Sequence, residues 1–142
     1  MPLLNYTTKV EVYATVGAIQ SLLVKHGAMK IMQDYDDKGH LTALTFLIDT
    51  PFGMQVIRLP ANVDAVHAVL KRQKVRCDRE QAERAAWRIV KDWVEAQMAI
   101  LESEMVQMDE IFLPYMVGNN GQTIFQIYQT SQLMLEGGEM ND

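Results

Sequence analysis

Eight cations fall within residues 71–91: Lys71, Arg72, Lys74, Arg76, Arg79, Arg84, Arg88 and Lys91. They stand against three acids, Asp78, Glu80 and Glu83, a local balance of +5 in a chain whose net charge is −5. Residues 92–142 carry nine acids and neither Lys nor Arg, so the overall acidity conceals a basic band. Such a band is the footprint of an anionic partner, either a small phosphorylated ligand or nucleic acid. Within it Arg72, Lys74, Arg84, Arg88 and Lys91 are the candidate anion clamps. Arg58 joins them because it interrupts an apolar run, Val56, Ile57 and Leu59, where a guanidinium needs an acceptor such as Asp49 or Glu11. Tyr35 or Trp87 would supply a ring for a base to stack on.

Other chemistry finds less footing. No glycine-rich phosphate loop or dinucleotide fingerprint occurs. Asp34, Asp36, Asp37 and His40 have the donor types for a cation, but a solvated hairpin turn is the better explanation. His67 and Cys77 are the types of a base and a nucleophile, without a third group to orient them. Glu102 and Glu104, two apart, cannot share a helix face as an acid/base pair. No cofactor, metal or catalytic residue is expected.

The elements that must position these residues follow from hydrophobic period and punctuation. Alternation over residues 9–13 predicts a strand, and Thr15 is placed to cap a helix carrying Val16, Ile19, Leu22 and Leu23, stopped by Gly27. Residues 28–35 and 41–50 predict a hairpin around Asp36, Asp37, Lys38 and Gly39, and residues 54–59 return as a further strand after Pro51, Phe52 and Gly53. Asn62 caps a short helix, and Asp78 with Gln81 opens a long one running from about Arg79 to about Gln107. Its apolar face is wider than the roughly 100° a surface helix needs, which predicts a homo-oligomer built through this helix. Residues 111–117 read as extended, and Thr123 with Gln126 opens a small final helix. The fold class is α+β: a strand and helix, an antiparallel meander of about four strands in all, then a short and a long helix and a small last one. One domain over residues 1–135 and a flexible tail over 136–142 complete the reading.

At 142 residues and 49% apolar composition the chain can bury a core without staples, and its single Cys77 fits a reducing compartment. It lacks the N-terminal pattern of a secretory signal and a stretch of about 20 apolar residues, so a cytoplasmic location without membrane contact is expected. Four segments carry a resemblance: Asn5-Tyr6-Thr7-Thr8-Lys9, Arg58-Leu59-Pro60, the run from Trp87 through Gln97, and Phe112-Leu113-Pro114-Tyr115. Together they resemble a family of short proteins from phages, prophages and other mobile elements, over about residues 3 to 117. The resemblance implies a viral accessory protein in a host bacterial cell and carries over no site residue. The preferred expectation is non-catalytic sequestration of a nucleotide-derived phosphorylated ligand by an oligomer, countering bacterial defence signalling. The alternatives are a nucleic-acid-binding accessory protein of phage replication or recombination, and a protein-only inhibitor of a host defence enzyme acting through its acidic C-terminal third.

Overall fold

Turn chemistry sets the sheet. Asp36 Oδ1 accepts hydrogen bonds from the backbone N–H groups of Lys38 and His40, at 2.9 and 2.8 Å, and Gly39 takes a φ of +81°. The carboxylate thus replaces a backbone acceptor and the glycine supplies the left-handed residue that reverses the chain. The structure, a computed structural model, describes residues 2–141. Strands β1 (Met29–Tyr35), β2 (Leu41–Thr50) and β3 (Gly53–Pro60) form an antiparallel sheet in the order β1-β2-β3. Leu44, Phe46 and Ile48 of β2, with Ile57 and Leu59 of β3, make its buried face.

The helices are α1 (Val12–Lys25), α2 (Val63–Arg72), α3 (Arg79–Glu102), α4 (Met108–Phe112) and α5 (Ile124–Asn141), with a 3-10 turn at Leu113–Tyr115. Asn62 and Asp78 cap α2 and α3 through side-chain oxygens that accept from Ala65 N and Gln81 N. Thr123 and Gln126 make the reciprocal pair at the start of α5, Thr123 N to Gln126 Oε1 at 2.8 Å and Gln126 N to Thr123 Oγ1 at 3.2 Å. α3 is the central helix: α1 and α2 pack along it, and Trp87, Val94 and Met98 are buried with the sheet residues in one core. Trp93 meets Phe112 and Tyr115 edge-on, each at 5.8 Å between centroids, and Phe112 meets Phe46 at 5.4 Å. That chain of rings fastens α4 and the 3-10 turn to the core.

The chain is α+β, with several elements drawn differently from the sequence reading. Residues 9–13 do not form a strand, because the spacing Val12, Val16, Ile19, Leu23 continues a helical stripe one turn further back; Glu11, and not Thr15, is the N-cap. Among the described residues three strands are present instead of about four. The nearest substitute is a two-residue contact in which Met116 bridges Ile57 and Val117 N donates to Val56 O at 2.8 Å. α3 stops at Glu102, short of Gln107, where Glu104 turns left-handed at φ +65°. Of residues 111–117, 111–115 are helical and only 116–117 are extended; a capping box between Gln107 and Glu110 opens the helix that begins at Met108. The last helix is 18 residues long and not small. It takes in most of the expected tail, while Asp142 lies outside the described residues. Among those described, no helix is long and apolar enough to cross a membrane.

Candidate functional site

The basic band divides when it is followed along the chain. Lys71, Arg72, Lys74 and Arg76 lie at the end of α2 and in the connection to α3, all exposed, and none has an acidic partner among the described residues. Lys74 adopts φ +60°, a left-handed conformation unusual for a side chain of this length. The other half is occupied. Arg79 Nη1 contacts Asp64 Oδ1 at 2.5 Å, and that guanidinium holds the Asp64 carboxyl below its usual range. Lys91 Nζ donates to Glu95 Oε2 at 2.7 Å and lowers the Glu95 carboxyl in the same way. Arg84 donates from Nε and Nη2 to Gln81 Oε1, at 3.0 and 2.7 Å, and Arg88 is half-buried on the same helix.

A helix N-terminus reinforces a bound anion only while its N–H groups are free. Here Asp78 accepts from Gln81 N at 2.8 Å, and Glu80 adds a second negative charge in the first turn. The N-terminal end of α3 is therefore capped by its own chain, and its dipole adds little to the potential of the exposed connection.

The remaining predicted residues are not gathered around that connection. Arg58 projects from the open face of the sheet opposite Thr45, and its Nη1 donates to Gly121 O at 3.0 Å, a backbone carbonyl in place of Asp49 or Glu11. Trp87 is 0% exposed, so a ligand at the surface cannot stack on it. Its place on the wide apolar face of α3, beside Ala86 and Val94, is what drives it inside. Tyr35 is half exposed at the end of β1. Its hydroxyl donates to Gln33 Oε1 at 2.7 Å and lies 3.3 Å from that of Tyr13, which raises the Tyr35 phenol above its ordinary value.

Tyr13 leads into a cleft of about 370 Å³ lined by Glu11, Val12, Tyr13, His40, Glu80, Glu83 and Arg84. His40 Nδ1 stands 2.8 Å from Glu83 Oε1, off the alignment of a hydrogen bond. Three carboxylates against one guanidinium make this cleft a poor host for an anion. Asp34 is turned to Thr45 Oγ1 and Asp36 to its own turn, so the four residues expected at the hairpin do not converge. Among the described residues no group of three or more metal-ligating side chains gathers. His67 Nε2 contacts the backbone carbonyl of Cys77 at 3.3 Å, and not its thiol.

Comparison with known proteins finds no match: no family model, no curated protein and no solved structure corresponds to the chain.

Sequence reasoning missed the role of the N-terminal segment. Leu3 N donates to Gln73 Oε1, Asn5 Nδ2 to Asp92 Oδ2, and Gln81 Nε2 to the carbonyls of Tyr6 and Thr8. Residues 3–8 thus lie along α3 beside Arg84 and cover that side of the band. Nothing in the period or composition of this polar stretch signals where it lies.

Proposed function

We propose that the protein is a non-catalytic accessory protein that binds an extended, phosphate-bearing strand through Lys71, Arg72, Lys74 and Arg76. The observation that carries the reading is four exposed cations within six residues, without acidic partners among the described residues, in a band whose Arg79 and Lys91 are paired. Exposed cations on an open connection suit successive phosphates, whereas a small nucleotide needs walls around it. Four clefts of about 370 to 530 Å³ each present two or more carboxylates, and none is lined by these four residues. Capture of a small phosphorylated ligand has correspondingly less support. The resemblance to mobile-element proteins accords with a part in replication or recombination.

The test is fluorescence anisotropy with labelled single- and double-stranded oligonucleotides across a salt series. Four phosphate contacts predict a slope of log K against log salt of about −3 for a single strand and slightly steeper for a duplex. Reversing Lys71, Arg72, Lys74 and Arg76 to Glu should abolish binding, and Lys91→Glu should leave it nearly intact. Absence of binding at low salt, or binding indifferent to the fourfold reversal, would overturn the assignment. A nucleotide panel read by thermal shift separates it from small-ligand capture.

A further inference from the structure

Among the described residues, two surfaces rich in exposed apolar side chains lie open, and they are of different kinds. One is the face of the sheet turned away from α1 and α3. Cross-strand pairing puts Met29, Leu47 and Val56 in one row there, Met32, Thr45 and Arg58 in the next, and Asp34 with Ala43 and Asp49 with Met54 at the two ends. The methionines thus share this face with two carboxylates and with an Arg58 already bonded to Gly121 O. Met29 and Met32 both reach this face because the register shifts between them, at Lys30 with φ +52°; without that bulge they would point to opposite sides. Met29 is 42% exposed, Met32 58% and Met54 48%. The other surface is α5, whose residues 124–135 contain no charge at all. Tyr128, Leu133, Met134 and Leu135 on it are each about 60 to 70% exposed (58%, 69%, 69% and 60%). α5 packs back on the 3-10 turn, which leaves most of its length uncovered.

The two surfaces match in size. Strands in a sheet are about 4.8 Å apart, so the axes of β1 and β3 are separated by about 10 Å, the diameter of a single helix. Strands of 7 to 10 residues are roughly 23–33 Å long, and the uncharged stretch of α5 is about 18 Å. The sheet has room for one helix and each chain has one to give. We propose that a second copy of this chain covers the open face: α5 of one protomer lies across β1, β2 and β3 of its partner, and the partner returns the contact. Such an isologous exchange satisfies both surfaces twice, and methionines are suited to adjust to the incoming side chains. The proposal moves the subunit contact away from α3, whose exposed strip is a short row of Glu95, Ala96, Ala99 and Glu102.

Sedimentation of the full chain over a concentration series tests it. The expected particle has twice the 16.2 kDa mass of the chain. Met32→Glu on the sheet and, separately, the pair Tyr128→Asp and Leu133→Asp on α5 should each shift it to monomer with the circular dichroism of the core retained. The arrangement is read by mixing, in a Cys77→Ser background, a tagged Met32→Cys chain with an untagged Leu133→Cys chain, which should form a mixed disulfide between the two. A monomer at every concentration, a dimer indifferent to Met32→Glu and to the α5 pair, or a bridge formed within a single doubly substituted chain would each overturn the proposal.

Discussion

Lys74 shows how much can rest on one backbone angle. α1 and α2 end in the same hydrogen-bond pattern: Gly27 N to Val24 O with Ala28 N to Leu23 O, and Lys74 N to Lys71 O with Val75 N to Leu70 O. The residue after the cap must turn left-handed in this pattern, and glycine does so without steric penalty. α1 uses Gly27 at φ +101°, but α2 uses Lys74 at +60°. Lys74→Gly should therefore stabilise the fold by about 1 kcal/mol in urea unfolding. It should also weaken oligonucleotide binding and reduce the salt slope by about 1. Glu104 occupies the equivalent position after α3, at φ +65°. Glu104→Gly is the control, with a similar gain in stability and no loss of binding. If Lys74→Gly binds as the parent does, the cluster is not a phosphate site. Composition exposed the cations of this cluster, but their freedom depends on which neighbours pair, and that is decided by Asp64 and Glu95 from other turns. Trp87 illustrates the reverse case, since an aromatic among cations reads as a stacking platform until the helix is turned and its ring is found in the core.

At the scale of elements, the N-terminal segment is held by side chains and not by secondary structure. Gln81 is its main anchor, donating from Nε2 to Tyr6 O and Thr8 O at 3.0 and 2.8 Å while its Oε1 accepts twice from Arg84. Gln81→Ala removes all four bonds but leaves the Asp78 cap, which uses only the Gln81 backbone. Leaving partly buried carbonyls unpaired predicts a loss of about 1–3 kcal/mol. Hydrogen exchange at residues 6–10 should accelerate while that of α3 stays slow, and unchanged protection of this segment would refute the anchoring role. The sequence reading assigned Gln81 to a capping box and so recovered α3's start while missing this side chain's partners. The same division runs through the fold. Caps and turns, such as Asn62, Asp78, Gly27 and the Asp36 to Gly39 reversal, are local, and they were legible. The strand expected at residues 9–13 failed because four alternating residues carry less weight than a helical stripe from Val12 to Leu23. Residues 111–115 were misread as extended because their conformation depends on long-range rings, Phe112 against Phe46 and Trp93. The open sheet face was hidden because only the bulge at Lys30 puts Met29 and Met32 on one side.

For the whole molecule, charge sets a pH window. Asp36, Asp64, Glu95 and Glu102 all have carboxyls held below their ordinary values, by the His40 backbone N–H, the Arg79 guanidinium, the Lys91 ammonium and the His26 ring respectively. A carboxyl whose folded pKa is depressed takes up its proton more readily in the unfolded chain. Its contribution is therefore fully present above the unfolded values of about 4 and is lost as pH falls through the lower folded ones. The urea midpoint should accordingly fall on acidification below about pH 4, and replacing Asp36, Glu95 and Glu102 by their amides should flatten that fall. The causes differ in their response to salt. The Asp64–Arg79 and Glu95–Lys91 pairs each hold an exposed carboxylate at the surface and are screened, whereas the hydrogen bonds to Asp36 come from backbone N–H groups at fixed short range. In 1 M salt the acid slope that remains should belong largely to Asp36, and Asp36→Asn should then remove more of it than Glu95→Gln does. An acid slope unaffected by all three amides, or equal effects of Asp36→Asn and Glu95→Gln in high salt, would contradict this division between turn chemistry and surface charge.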